Sequence, residues 1–306
     1  MRHSMRFGLG LAAMVLVMAM ALAGCDADRA VPKGGGTAAP SGPPRADGSA
    51  PRRNGPAPAV DFSGAKFRSG CRFTHRAPDD PIVHQGMSGM SHSHDFFANT
   101  STDANSTLES LRAAPTLCRD RADTAAYWVP TLYSNGQAVT PLHSTAYYLT
   151  GRKDHTKIQA FPSGLKVVAG NARATSAQSL RVTGWDCGTQ GGVRSQSTVP
   201  TCSQPTLRLR VTFPDCWNGV DLDSSDHASH LAYSDRGLCP STHPVMVPQL
   251  MLLVRYPITG GDRVTLASGS PITAHGDFFN AWNQSVLEAH VRDCINAGVD
   301  CTLPPR

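Results

Sequence analysis

Nine cysteines constrain this 306-residue chain more than any other feature: Cys25, Cys71, Cys118, Cys187, Cys202, Cys216, Cys239, Cys294 and Cys301. An odd count is awkward for an exported protein, in which thiols pair. Giving Cys25 a separate fate leaves eight, enough for four disulfides in an oxidising compartment. Of the 105 pairings that eight cysteines allow, the simplest joins neighbours in sequence: 71–118, 187–202, 216–239 and 294–301. The rival use of these thiols, structural zinc, is disfavoured because the chain lacks a Cys-x-x-Cys pair.

The chain's beginning supplies that separate fate. Arg2 and Arg6 precede an uncharged, mostly apolar run from Phe7 to Leu22. The run is long enough for a signal peptide and short for a membrane-spanning helix. It ends in Leu22-Ala23-Gly24-Cys25, which resembles a bacterial lipobox. The expectation is a signal peptide over 1–24, lipid attached at Cys25, and anchoring on the extracytoplasmic face of the cell membrane. Residues 31–60 are rich in Pro, Gly and Ala. Such a stretch cannot bury enough apolar surface to offset its ordering entropy, so 25–65 reads as a disordered tether. Residues 66–306 then form a single secreted domain.

The formal net charge of +5 resides mostly in signal and tether. The remaining domain is near neutral, which gives no electrostatic case for a nucleic-acid partner. Strand-like runs recur at 165–170, 180–187, 206–213, 247–257 and 263–269. "TLRLRVTF" alternates apolar and polar residues, as a strand with one buried face does. "LMLLV" is continuous and reads as buried on both faces. Helical patterns appear at 103–113, with Asp103 or Asn105 as N-cap, and at 280–297. In the latter, Trp282, Val286, Leu287, Val291 and Ile295 share a face. The fold class expected is mainly β, sandwich-like, with a C-terminal helix and long disulfide-braced loops.

Only two glutamates exist, Glu109 and Glu288, so carboxylate chemistry falls to aspartate. There is no His-Glu-x-x-His, no Gly-x-Ser-x-Gly and no phosphate-binding Gly-x-x-x-x-Gly-Lys loop. Histidines cluster instead. His92 and His94, two apart, would share a strand face. His227 and His230, beside Asp226, would share a helical turn. His243 stands alone, and His275 is followed closely by Asp277. "HDFFAN" at 94–99 echoes "HGDFFN" at 275–280.

Several stretches together resemble a known family, the domain-of-unknown-function family numbered nineteen ninety-six. They are "DPIV" at 80–83 with "SHSH" at 91–94, "YWVPTLY" at 127–133, and "GLKVVAGN" at 164–171. "FPDCWNGVDLDSSDHASHLAY" at 213–233, "CPSTHPVMVPQL" at 239–250 and "HGDFFNAW" at 275–282 follow. The departure is at His84-Gln85 before Gly86, where the usual form resembles Asp-Pro-Ile-Val-x-Pro-Gly. The resemblance implies an exported domain, found in bacteria and fungi and sometimes joined to carbohydrate-binding modules. It implies no established reaction and no transferable catalytic residues.

Two functional readings follow. In the first, the domain is a carbohydrate-active hydrolase or lyase on a polysaccharide. Asp215, Asp226 and Asp277 supply acid, base or nucleophile, and His230 or His275 works near neutral pH. Its metal version places a divalent ion on His92, His94 and His227, with His230 or His275 as alternatives for the third position. In the second, the domain only binds, with Trp217, Tyr233 and Trp282 stacking on sugar rings. The enzyme reading requires its acidic and imidazole groups to share one hollow.

Overall fold

The alternation read in the sequence becomes two antiparallel sheets in the computed structural model, which describes residues 64–188 and 194–302. Ten strands build them. They are β1 (Lys66–Cys71), β2 (Phe73–Ala77), β3 (His94–Ala98), β4 (Ala126–Pro130), β5 (His143–Leu149), β6 (Lys166–Gly170), β7 (Thr183–Asp186), β8 (Arg208–Thr212), β9 (Gln249–Arg255) and β10 (His275–Phe279). One sheet runs β1-β5-β9-β8-β7 and the other β2-β3-β4-β10-β6. The segments expected to be signal peptide and tether, with Cys25, fall in residues 1–63 and lie outside the described residues.

The core explains the sandwich. Phe67, Tyr148, Leu209, Val211, Leu250 and Leu252 from the first sheet join Phe97, Tyr127, Val129, Val167 and Phe278 from the second in one buried cluster. Each such side chain contributes about 1.5–3 kcal/mol on burial. The continuous apolar run in β9 is buried on both faces, as expected. Its Leu250, Leu252 and Val254 face the other sheet, and Met251 and Leu253 pack on the outer side. The second sheet also has a covered outer face, where Phe96, Trp128 and Phe279 pack with Ile82 and Leu111.

The helices are shorter than their patterns. The first, α1, is Leu108–Ala113, capped by Thr107 rather than Asp103 or Asn105. Thr107 and Ser110 exchange side-chain hydrogen bonds with each other's backbone N–H, satisfying two otherwise unpaired donors. Asp103 instead accepts from Asn105 N, closing its own turn. The second, α2 (Gln284–His290), continues as a wider turn over Val291–Asn296. Its Leu287, Val291 and Ile295 are buried in the sandwich core.

All four neighbour disulfides form: Cys71–Cys118, Cys187–Cys202, Cys216–Cys239 and Cys294–Cys301. A buried polar network lies beside the first. Asp123 accepts from the Tyr127 hydroxyl at 3.0 Å, Tyr127 and Tyr148 hydroxyls meet at 2.6 Å, and Trp282 Nε1 donates to Tyr148 at 2.9 Å. Burial pushes the Asp123 carboxyl up to about 7, against the hydrogen bonds from Ser69 and Tyr127 that favour its ionised form. The unfolded chain releases this proton near 3.8 and the folded chain near 7. Folding stability therefore falls as pH rises through that window, by up to about 1.4 kcal/mol per pH unit. Urea midpoints of wild type and Asp123→Asn at pH 5 and pH 7 test this. The variant should gain on wild type between the two, and a constant gap would contradict the assignment.

Candidate functional site

Strand register brings the two echoing segments together. In β3, His94 pairs with Pro130 and Phe96 with Trp128. In β10, Asp277 pairs with Trp128 from the other side of β4. Carrying that register two residues further sets His275 beside Pro130. His94 and His275 thus flank Pro130 in one row, and Asp277 lies in the next. Side chains alternate across a strand, so His94, Phe96, His275 and Asp277 share the outer face of this sheet. The two histidine strands lie two spacings apart, roughly 10 Å. The two imidazoles nonetheless meet, with ring centroids 5.7 Å apart.

The echo differs by one residue, and that residue decides the chemistry. "HDFF" sends Asp95 to the face opposite His94, where Arg76 Nε donates to it at 2.6 Å. "HGDFF" inserts Gly276, where a Cβ would press on Val211 at 3.3 Å and Val129 at 3.4 Å. Asp277 therefore emerges on the same face as His275.

A loop covers this face. Asp80 closes it by accepting from Ile82 N at 2.9 Å and Val83 N at 3.0 Å, and Ile82 is buried against the sheet. Gly86 turns the loop at φ 77°, with its N–H bonded to the Ala104 carbonyl. The departure at His84-Gln85 is accommodated there, and Gln85 Oε1 accepts from Lys166 Nζ at 2.8 Å. The loop returns through His92, whose Nε2 lies 3.1 Å from His275 Nε2. His94 Nε2 is 3.5 Å from the same atom.

Backbone carbonyls orient two of the rings. His94 Nδ1 donates to the Asp79 carbonyl and His275 Nδ1 to that of Thr273, each at 2.9 Å. Burial pulls the His275 imidazole down to about 4, and holds His94 well below its ordinary range. His92, half-buried, is lowered too, by desolvation and then by His84. The three rings are neutral at neutral pH. Asp277 is pushed far above the usual carboxylate range, first by burial and then by the charge of Asp80. Asp80 itself is raised by burial. Asp277 is 1% exposed, and its Oδ2 has no hydrogen-bond partner among the described residues.

Two sets of ligand atoms lie within 4.8 Å of one another here: His92, His94 and His275, and Asp80, His94 and Asp277. A third set, Cys71, Cys118 and Asp123, offers no thiolates because its cysteines form a disulfide.

The other sequence-predicted residues are engaged elsewhere. His227, expected beside His92 and His94, bonds Asp223 through Nδ1 at 2.9 Å, and His275 completes the trio in its place. Both ring nitrogens of His230 are used, by Ser224 and by the Lys166 carbonyl. Asp226 is exposed and caps its own turn, accepting from Ser229 N, Ala228 N and Ser224 Oγ. Those bonds hold its carboxyl far below the usual range, so it carries no proton to donate at neutral pH. Asp215 is fully buried in an ion pair with Lys153. His243 bonds Thr242 and the Ser229 carbonyl. Trp282 is a core residue, Tyr233 donates its hydroxyl to the Thr212 carbonyl, and Trp217 Nε1 donates to the Asp221 carbonyl. The stretch 214–233 still touches the site's border, because Lys166 pairs with Asp223 at 3.4 Å while holding Gln85.

Asp80 is the residue that sequence reasoning passed over. Its signal was the "DPIV" motif, twelve residues ahead of His92. No curated protein and no solved structure matches this chain. A family model, "Domain of unknown function (DUF1996)", matches residues 80–282, from Asp80 of the covering loop to Trp282 just past β10. The match spans two thirds of the chain and both halves of the histidine site, and the protein belongs to that family.

Proposed function

We propose that this is an exported, membrane-tethered, carbohydrate-active hydrolase or lyase, with its reaction centre at His92, His94, His275, Asp277 and Asp80. The observation that carries the reading is the meeting of three imidazoles at one point, one of them, His94, lying beside the buried Asp277 carboxyl, whose Oδ2 has no partner among the described residues. Neutral imidazole accepts a proton and a protonated carboxyl donates one, the two transfers that cleavage of a glycosidic bond needs. Placing such groups together costs stability without a compensating hydrogen bond, a pattern that marks functional sites. Four disulfides fit an oxidising compartment outside the cytoplasm. Lipid at Cys25, with the tether behind it, would hold the domain at the cell membrane within reach of envelope or environmental polysaccharide.

The non-catalytic binding reading has less support. It relied on Trp217, Tyr233 and Trp282 as sugar platforms, and Trp282 is 1% exposed within the sandwich. The test is release of new reducing or unsaturated ends from a panel of polysaccharides by the purified full chain. Asp277→Asn should lower the rate by about 100-fold or more with circular dichroism unchanged. An active Asp277→Asn variant, or no cleavage of any polymer by wild type, would count against this reading.

A further inference from the structure

We propose that His92, His94 and His275 hold one divalent transition-metal ion through their Nε2 atoms, with Asp80 and Asp277 supplying its counter-charge. This deepens the reading above at the same site, with an ion-bound water in place of free imidazole as the base, but the metal site itself needs no particular reaction.

Hydrogen-bond geometry fixes the tautomers of two of these rings. His94 Nδ1 and His275 Nδ1 both face backbone carbonyls, which only accept, so both nitrogens carry hydrogen. In that tautomer the lone pair of each ring is on Nε2, the atom free to bind an ion. The two Nε2 atoms face each other at 3.5 Å in a buried site. His92 Nε2, 3.1 Å from His275 Nε2, brings at most one proton to this meeting of three nitrogens. A lone hydrogen bond from His92 to His275 would leave His94 Nε2 without a donor. A cation satisfies all three at once.

The dimensions agree. Zinc–imidazole bonds of about 2.0–2.1 Å at tetrahedral angles separate ligand nitrogens by about 3.3–3.4 Å. The two observed separations bracket that value. The Nδ1–carbonyl bonds are the outer contacts that fix tautomer and ring orientation in histidine metal sites. The second observation is Asp277: its Oδ2 is buried with no partner among the described residues, and one of its carboxyl oxygens lies within 4.8 Å of a His94 nitrogen and an Asp80 oxygen. In the field of a bound ion the Asp80 and Asp277 carboxyls ionise, and their two charges balance a dication. Imidazole donors favour zinc, copper and nickel over magnesium and calcium. His92 is only half-buried, so an ion could enter, and a substrate approach, from its side.

The experiment titrates chelator-stripped, untagged full chain with zinc chloride alone by calorimetry, and repeats it with magnesium. One zinc per chain should bind with micromolar or tighter affinity, and magnesium should not compete. His92→Ala should weaken zinc by about 100-fold or more, whereas His243→Ala, at a half-buried position outside the cluster, should not. X-ray absorption of the zinc-loaded wild type should show three imidazole ligands, a readout that does not depend on any variant folding. Absence of zinc binding, two or fewer imidazoles, or unchanged affinity in His92→Ala overturns the proposal. Metal binding without polysaccharide cleavage would sink the enzyme reading alone. Cleavage by a chain that binds no zinc would sink this inference alone.

Discussion

Asp215→Ala should destabilise the domain by about 3–5 kcal/mol, measured as the shift in urea unfolding. Both partners of the Lys153–Asp215 pair are fully buried. Asp215 also accepts from Ser234 N at 2.7 Å and Ser234 Oγ at 2.9 Å. Burial draws Lys153 below its usual range while Asp215 opposes that shift. Truncating the carboxylate strands an ammonium in the interior with no counter-ion. Removing both charges, as in Lys153→Met/Asp215→Leu, should recover most of the loss, since the pair itself is costly to desolvate. Recovery should be incomplete, because Ser234 N loses its acceptor. A single-variant loss below about 1 kcal/mol would refute the structural role. The experiment also bears on function. If Asp215 only holds the fold, the folded fraction of the double variant should keep full specific activity.

Removing the Cys71–Cys118 bridge should cost about 4 kcal/mol, the largest effect among the four disulfides. It spans 47 residues, against 15, 23 and 7 for the others. Loop-closure entropy grows with that span, giving about 4 kcal/mol here and about 2 for Cys294–Cys301. The closed segment contains β2, β3, the covering loop and thus Asp80, His92 and His94. Its loss should loosen the site before it unfolds the domain, since it frees the chain that delivers two of three imidazoles. Thermal unfolding of Cys71→Ala/Cys118→Ala beside Cys294→Ala/Cys301→Ala checks the order. Equal midpoints would show that chain entropy does not govern these bridges.

A lipid anchor is proposed from the pattern around Cys25, and a polysaccharide substrate from the Asp and His residues and the family resemblance. The fold was more legible. Alternation in 206–213 and the continuous apolar run in 247–257 announce strands because a two-residue period maps directly onto two faces. β3, β4 and β10 escaped that reading. They carry apolar or aromatic residues on both faces, so no alternation marks them.

Local chemistry was therefore written in the sequence. Neighbouring cysteines pair, Leu287, Val291 and Ile295 mark one buried helix face, and the His/Asp echo shows where polar groups recur. Tertiary structure alone decided which of them meet. His275 lies 183 residues from His92 and reaches it only because β3 and β10 flank the same strand. Asp215 and His230, similar in composition to the site residues, are consumed by Lys153, Ser224 and a backbone carbonyl. Residue type fixes what a side chain could do, whereas strand register and burial fix which partners remain to do it with.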